Sequence, residues 1–170
     1  MVRVKLQAVR VDFQSSTPVL FLQEVDGPKR SLLVFIGAPE ATAIAYALQD
    51  VEVPRPMTHD LLAQVMDLAG ISLNAIVITE LKDGTYFAEL QIELNDETQA
   101  ISARPSDAVA LAVRTGAPLF VSDQLMDAEG AQIDLDDDDD DDDDEEEAPE
   151  VLVDEFMEFL DTVRPEDFSS

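Results

Sequence analysis

The stretch Asp83-Gly84-Thr85-Tyr86-Phe87-Ala88-Glu89-Leu90-Gln91-Ile92-Glu93-Leu94 decides the fold class. Asp-Gly is the pair that a two-residue hairpin turn favours, because both central residues need positive φ. After it, Tyr86, Ala88, Leu90, Ile92 and Leu94 alternate with Phe87, Glu89, Gln91 and Glu93, the period of a strand with one buried face. Before it, residues 73–81 form an apolar run that reads as the partner strand. Asn95-Asp96 turns the chain again, into a third strand over 99–103. An Ala-rich helix follows over 106–114, with Ser106 in the N-cap position.

The first half of the chain has the same order. Residues 2–13, 19–25 and 31–36 read as three strands, separated by Ser15-Ser16-Thr17-Pro18 and Asp26-Gly27-Pro28. A helix over 39–48 opens on Pro39 and Glu40, a proline and an acid that both suit a first turn. Pro39-Glu40-Ala41-Thr42-Ala43-Ile44-Ala45 lines up with Ser106-Asp107-Ala108-Val109-Ala110-Leu111-Ala112 in its acid, its small residues and its large aliphatic. The expected architecture is therefore α+β: a duplicated β3-α repeat joined by a helix over 58–69, with the helices packed between two antiparallel sheets. Simple alternation along the first strand puts Arg3 and Lys5 on the face opposite Arg10.

Composition closes off several functions. The chain of 170 residues has no cysteine and a single histidine, His59. Disulfide frameworks, zinc fingers, iron–sulfur clusters and thiol catalysis are excluded, as is any site built on several histidines. No run of 18 apolar residues occurs, and residues 2–6 (Val-Arg-Val-Lys-Leu) resemble neither a signal nor a transit segment, so a soluble cytoplasmic protein is expected.

Formal net charge is −28. Residues 1–133 hold nine Lys and Arg against 18 Asp and Glu, and residues 134–170 hold one against 20. Such a balance opposes anionic membranes and bulk nucleic acid unless a local basic patch exists.

Residue 133 is thus a boundary. Residues 1–133 read as the globular domain. Residues 134–149 read as a disordered acidic linker, since the unbroken run from Asp136 to Glu147 repels itself and has nothing to bury. Within 150–170, Val153, Phe156, Met157, Leu160 and Val163 recur at helical spacing among acids, the pattern of a short amphipathic helix able to dock on a protein partner.

Three polar corners can carry chemistry. One is Pro54-Arg55-Pro56-Met57-Thr58-His59-Asp60, another is Ala103-Arg104-Pro105-Ser106-Asp107, and the third is Gly37-Ala38-Pro39-Glu40. In the structural reading, Thr58 and Ser106 are N-caps, Glu40, Asp60 and Asp107 are first-turn acids, and Arg55 and Arg104 pair with those acids. In the functional reading, helix N-termini and bidentate arginines hold phosphate, and His59 is a candidate general acid or base. The candidate catalytic residues are His59, Asp60, Asp107 and Glu40; the candidate substrate-binding residues are Arg55, Arg104, Thr58 and Ser106. The metal requirement is open, with a divalent cation such as magnesium as the candidate cofactor. No calcium loop, phosphate-binding glycine loop or His-Glu-x-x-His pattern occurs.

The segments Phe35-Ile36-Gly37-Ala38-Pro39-Glu40-Ala41, Pro54-Arg55-Pro56-Met57-Thr58-His59-Asp60-Leu61, Asp83-Gly84-Thr85-Tyr86-Phe87-Ala88 and Ala103–Ala112 resemble the bifunctional nuclease domain family, in the right order and over about residues 1–130. The resemblance implies a duplicated β3-α domain, a nuclease cutting RNA and DNA without strong sequence specificity, and self-association as a homodimer or larger homo-oligomer. Motif positions match at Gly37, Glu40, Arg55, Pro56, Thr58, His59, Asp60, Gly84, Arg104, Pro105, Ser106 and Asp107. The competing expectation is a non-enzymatic dimeric scaffold or regulatory protein whose acidic tail helix docks on a partner.

Overall fold

The computed structural model describes residues 1–12, 15–133 and 150–151. The linker expected over 134–149 and the amphipathic helix of the tail lie outside the described residues. Three strands, β1 (Val2–Asp12), β2 (Thr17–Glu24) and β3 (Arg30–Phe35), lead into α1 (Ala38–Leu48) and α2 (Thr58–Leu68). A second meander follows: β4 (Ser72–Lys82), β5 (Thr85–Leu94) and β6 (Glu97–Ala103), then α3 (Pro105–Thr115). The chain continues through β7 (Leu119–Val121), α4 (Asp123–Glu129) and β8 (Ala131–Gln132), and Glu150–Val151 forms β9.

The hairpin quoted first forms as its residues require. Asp83 and Gly84 have φ of 50° and 75°, and Lys82 pairs directly with Thr85. Asn95 and Asp96 repeat the device at φ of 54° and 62°. These left-handed conformations cost Gly, Asn and Asp least, which is why the turns are legible in the sequence.

The α+β class and the two antiparallel meanders are present, but two separate sheets are not formed. The strand order is β6-β5-β4-β7-β1-β2-β3-β8, one continuous sheet. The three residues of β7 make the join, running antiparallel to Val2–Val4 of β1 and parallel to Ile76–Ile78 of β4. A strand this short shows no alternation, so nothing in its sequence announces it. A bulge in β1 between Leu6 and Ala8 has a similar effect on the charges. One extra residue flips every later side chain to the other face. Lys5 opposes Gln23 and Arg10 opposes Val19, so Arg3, Lys5 and Arg10 share one face after all.

α3 lies at the centre. Pro105, Ser106 and every residue from Ala108 to Ala112 are buried, the all-round burial of a helix enclosed by the fold. It packs on α1, on α2 and on β4 and β5, and α1 packs on β2. Alanines at 41, 45, 108, 110 and 112 let the backbones approach closely. One core spans both meanders: Leu20, Leu22, Leu32 and Ile44 from the first half are fully buried with Ile76, Ile78, Leu111 and Met126 from the second. Each such side chain contributes about 1.5–3 kcal/mol on burial. The outward face of α2 is different, since Leu61, Leu62, Val65 and Leu68 are exposed.

Candidate functional site

The first turns of α1, α2 and α3 meet at one corner, and each carries an acid: Glu40, Asp60 and Asp107. The N-caps are not the residues the sequence pattern favours. Arg104 caps α3, with Pro105 in the first helical position and Ser106 buried behind it. Met57 caps α2, so Thr58 is already helical. In both cases the hydroxyl residue lies inside the helix, and its backbone is held by other means. Asp60 Oδ2 accepts the Met57 N–H at 2.8 Å. Proline, which has no N–H to satisfy, opens α3.

Arg104 organises the corner. Its Nε donates to Asp107 Oδ2 at 2.7 Å, and its NH2 donates to Asp107 Oδ1 at 3.0 Å and to Glu40 Oε1 at 2.9 Å. NH1 of the same guanidinium has no hydrogen-bond partner among the described residues. The side chain is 65% exposed, so NH1 is open to solvent. Its bonds to Asp107 and Glu40 raise the pKa of Arg104 further above its ordinary value.

Asp107 is also shared with His59, whose Nε2 lies 3.0 Å from Oδ1. The imidazole is buried, and its Nδ1 is enclosed without a partner among the described residues. The tautomer that satisfies this pair carries its proton on Nε2 and donates to Asp107. Burial pushes the Asp107 carboxyl up, but the bonds from Arg104 and His59 together outweigh it and hold the group below the usual carboxylate range. Pro39, Glu40, Ala43, Met57, Thr58, His59, Arg104 and Asp107 line a cleft of about 200 Å³ here.

Of the eight residues expected at the site, Glu40, Thr58, His59, Arg104 and Asp107 line this cleft. Asp60 turns away to a second cleft, where Arg114 Nε donates to its Oδ1. Burial raises the Asp60 carboxyl, and Arg114 with the Met57 N–H lowers it by more. Arg55 is exposed and makes no hydrogen bond or ion pair among the described residues. Ser106 lines a neighbouring cleft that shares Arg104.

Arg114 has no place among the expected residues. It is 9% exposed and donates to Asp60, to Ala43 O at 2.9 Å and to Ala110 O at 2.8 Å, tying together the three helices. A lone arginine ending an otherwise apolar, Ala-rich helix was the available signal.

The donors do not suit a divalent cation. Among the described residues no group of three His, Asp or Glu side chains is placed to hold one. Glu40 and Asp107 come together only on Arg104, whose positive charge already occupies the space between them. The corner is chemically an anchored guanidinium with one open edge, beside a histidine-supported carboxylate.

The chain is similar to known proteins. The model of the Bifunctional nuclease domain matches residues 20–134. An uncharacterized protein of Mycobacterium tuberculosis (strain ATCC 25618 / H37Rv) is 39% identical over 170 residues, covering 100% of this chain and 99% of its own length. Bifunctional nuclease 1 of Arabidopsis thaliana is 24% identical over 119 residues, 68% of this chain and 37% of its own. Bifunctional nuclease 2 of Oryza sativa subsp. japonica is 27% identical over 116 residues, 66% of this chain and 36% of its own. With the family model covering residues 20–134, the chain belongs to the bifunctional nuclease domain family.

Proposed function

We propose that the domain hydrolyses phosphodiester bonds in RNA and DNA, without strong sequence preference, at the cleft formed by Glu40, His59, Arg104 and Asp107. The observation that carries this reading is the open NH1 edge of Arg104, next to an ionised Asp107. Glu40 and Asp107 fix the guanidinium in place, so little ordering is needed when it meets a phosphate oxygen. Asp107 accepts a hydrogen bond from the attacking water and orients it. With its pKa held low it is a better orienting group than a proton acceptor. His59 is a positioning residue in this arrangement, since Nε2 is engaged by Asp107 and Nδ1 is enclosed. Thr58 adds an exposed hydroxyl at the rim. Asp60 and Arg55 take no part in the cleft.

No helix among the described residues is long and apolar enough to cross a membrane. That, with the cysteine-free composition, fits a cytoplasmic enzyme. The exposed apolar face of α2 supports self-association.

The test is cleavage of labelled single-stranded RNA and DNA by the purified protein, with magnesium, with calcium and with chelator, beside Arg104→Ala and His59→Ala. Activity that co-elutes with the protein and is lost in Arg104→Ala supports the assignment. Activity equal in both variants and wild type places the chemistry elsewhere.

A second reading is favoured by the balance of charge at the corner. Arg104 is matched by two carboxylates, and His59 has one nitrogen engaged by Asp107 and the other enclosed, the arrangement of a clamp that locks three helix starts. The domain is then a non-enzymatic scaffold, and the acidic tail carries the partner-binding role. Removal of residues 134–170 separates the two: loss of a partner in pull-down with no cleavage by either form supports the scaffold.

A further inference from the structure

The cleft lined by Ser106 adjoins that of Asp107, between the end of β3, the β4–β5 turn and the start of α3. It holds about 300 Å³, the low end of the range for small-ligand pockets. Four features of its lining point to one ligand. Phe35 is 56% exposed, an aromatic face left in water at the cleft. Tyr86 stands across the same cleft, half-buried, and burial raises its hydroxyl pKa. Ser106 is 6% exposed and lines the cleft, yet its hydroxyl has no hydrogen-bond partner among the described residues. Arg104 borders both clefts, with NH1 open.

Aromatic faces take a planar ring by stacking, and they do so with any base. A hydroxyl that lines the cleft and has no partner among the described residues, and an open guanidinium edge, take phosphate oxygens. A nucleotide has both parts. The pocket has room for a single base but none for a duplex, whose bases hide their faces in the stack.

We propose that this cleft holds one unpaired nucleotide of a single-stranded nucleic acid, with the base against Phe35 and Tyr86 and a phosphate on Arg104 NH1 and Ser106 Oγ. The proposal rests on the nuclease reading and sharpens it. The strand enters through the aromatic cleft, and Arg104 hands the next phosphodiester to the Asp107 cleft. Preference for single strands then comes from this pocket, and the lack of base preference comes from stacking. Gly37 belongs to the same wall, and a side chain there would collide with the Glu40 carboxylate that steadies Arg104.

The test is fluorescence anisotropy with the full chain at low salt, using end-labelled oligothymidylate, an abasic strand of the same length and a blunt duplex. Strand integrity is checked on a gel after each titration. The base-bearing single strand is expected to bind about tenfold more tightly than the other two, the effect of one good stack. Phe35→Ala and Tyr86→Ala each reduce it toward the abasic level. Phe87→Ala, on an exposed position outside the cleft, does not.

Equal affinity for all three nucleic acids, or a preference that survives both cleft variants, overturns the pocket and leaves the nuclease reading standing. No binding to any of them overturns both. Displacement of the strand by thymidine 5′-monophosphate at matching concentration assigns the pocket to free nucleotides and overturns the strand form.

Discussion

Arg104 NH2 lies 2.9 Å from Glu40 Oε1, so the N-cap of α3 is fastened to the first turn of α1 across 64 residues of sequence. The bond is solvent-facing at the arginine end, which is 65% exposed. An exposed pair of this kind contributes ~0–1 kcal/mol to stability. Arg104→Ala is therefore expected to shift the urea midpoint only slightly. Cleavage is expected to fall roughly 100-fold, the usual effect of removing one transition-state donor. Arg104→Lys should not restore it, because an ammonium cannot bridge Glu40 and Asp107 and still present a free edge. A variant that unfolds, or one that cleaves normally, contradicts this placement of Arg104.

Arg114 is the opposite case. With 9% of its side chain exposed, it neutralises Asp60 and caps two helix carbonyls. Arg114→Ala leaves a partly buried carboxylate and both carbonyls without this donor. A loss of about 2–3 kcal/mol is expected. Chemical denaturation reads it directly. Asp60→Asn should lose less, since an amide still accepts from Arg114.

Stability should depend on pH through the same acids. Asp60 and Asp107 both titrate below their ordinary range in the folded state. A depressed folded pKa means that the stabilisation is fully present above the unfolded value, near pH 4, and is lost as pH falls through the folded value. Denaturation midpoints are expected to be flat from pH 7 to about pH 5 and to drop below about pH 4. Asp60→Asn should flatten the drop. Protonation of the acidic tail relieves self-repulsion over the same interval, so the comparison between variant and wild type is the informative quantity.

Buried imidazole chemistry gives a further check. His59→Ala removes the Nε2 donor to Asp107 and opens a space under α2. The expected cost is about 1–3 kcal/mol, with cleavage reduced less than in Asp107→Ala, because His59 acts through Asp107. A pH–rate profile of His59→Gln that keeps the wild-type shape would agree with a positioning role. Loss of an inflection in the variant would make His59 the base instead.

The α2 face predicts the assembly. Leu61, Val65 and Leu68 recur one helical turn apart and are 55%, 50% and 86% exposed. Val65→Glu with Leu68→Glu is expected to lower the mass seen by sedimentation without unfolding the domain. An unchanged mass would remove α2 from the interface.

Local rules determined much of this protein from the sequence alone. Asp83-Gly84 and Asn95-Asp96 specify their turns because few residues tolerate positive φ, and the alternation from Tyr86 to Leu94 specifies the buried face of β5. The acid at each helix start is legible for the same reason, since the helix dipole acts within one turn. Family membership was legible because the motif residues lie in contiguous segments. What needed the tertiary structure was everything set by distant partners. β7 is too short to show a period, and it exists because β1 and β4 offer it two open edges. One bulge at Leu6 reverses the facing of Arg10, and alternation cannot register an inserted residue. Asp60 and Asp107 look alike in sequence, each a first-turn acid beside a motif arginine. One faces Arg114 and the other Arg104 only because α1, α2 and α3 converge, and Coulomb attraction then selects the nearest cation in space rather than in sequence.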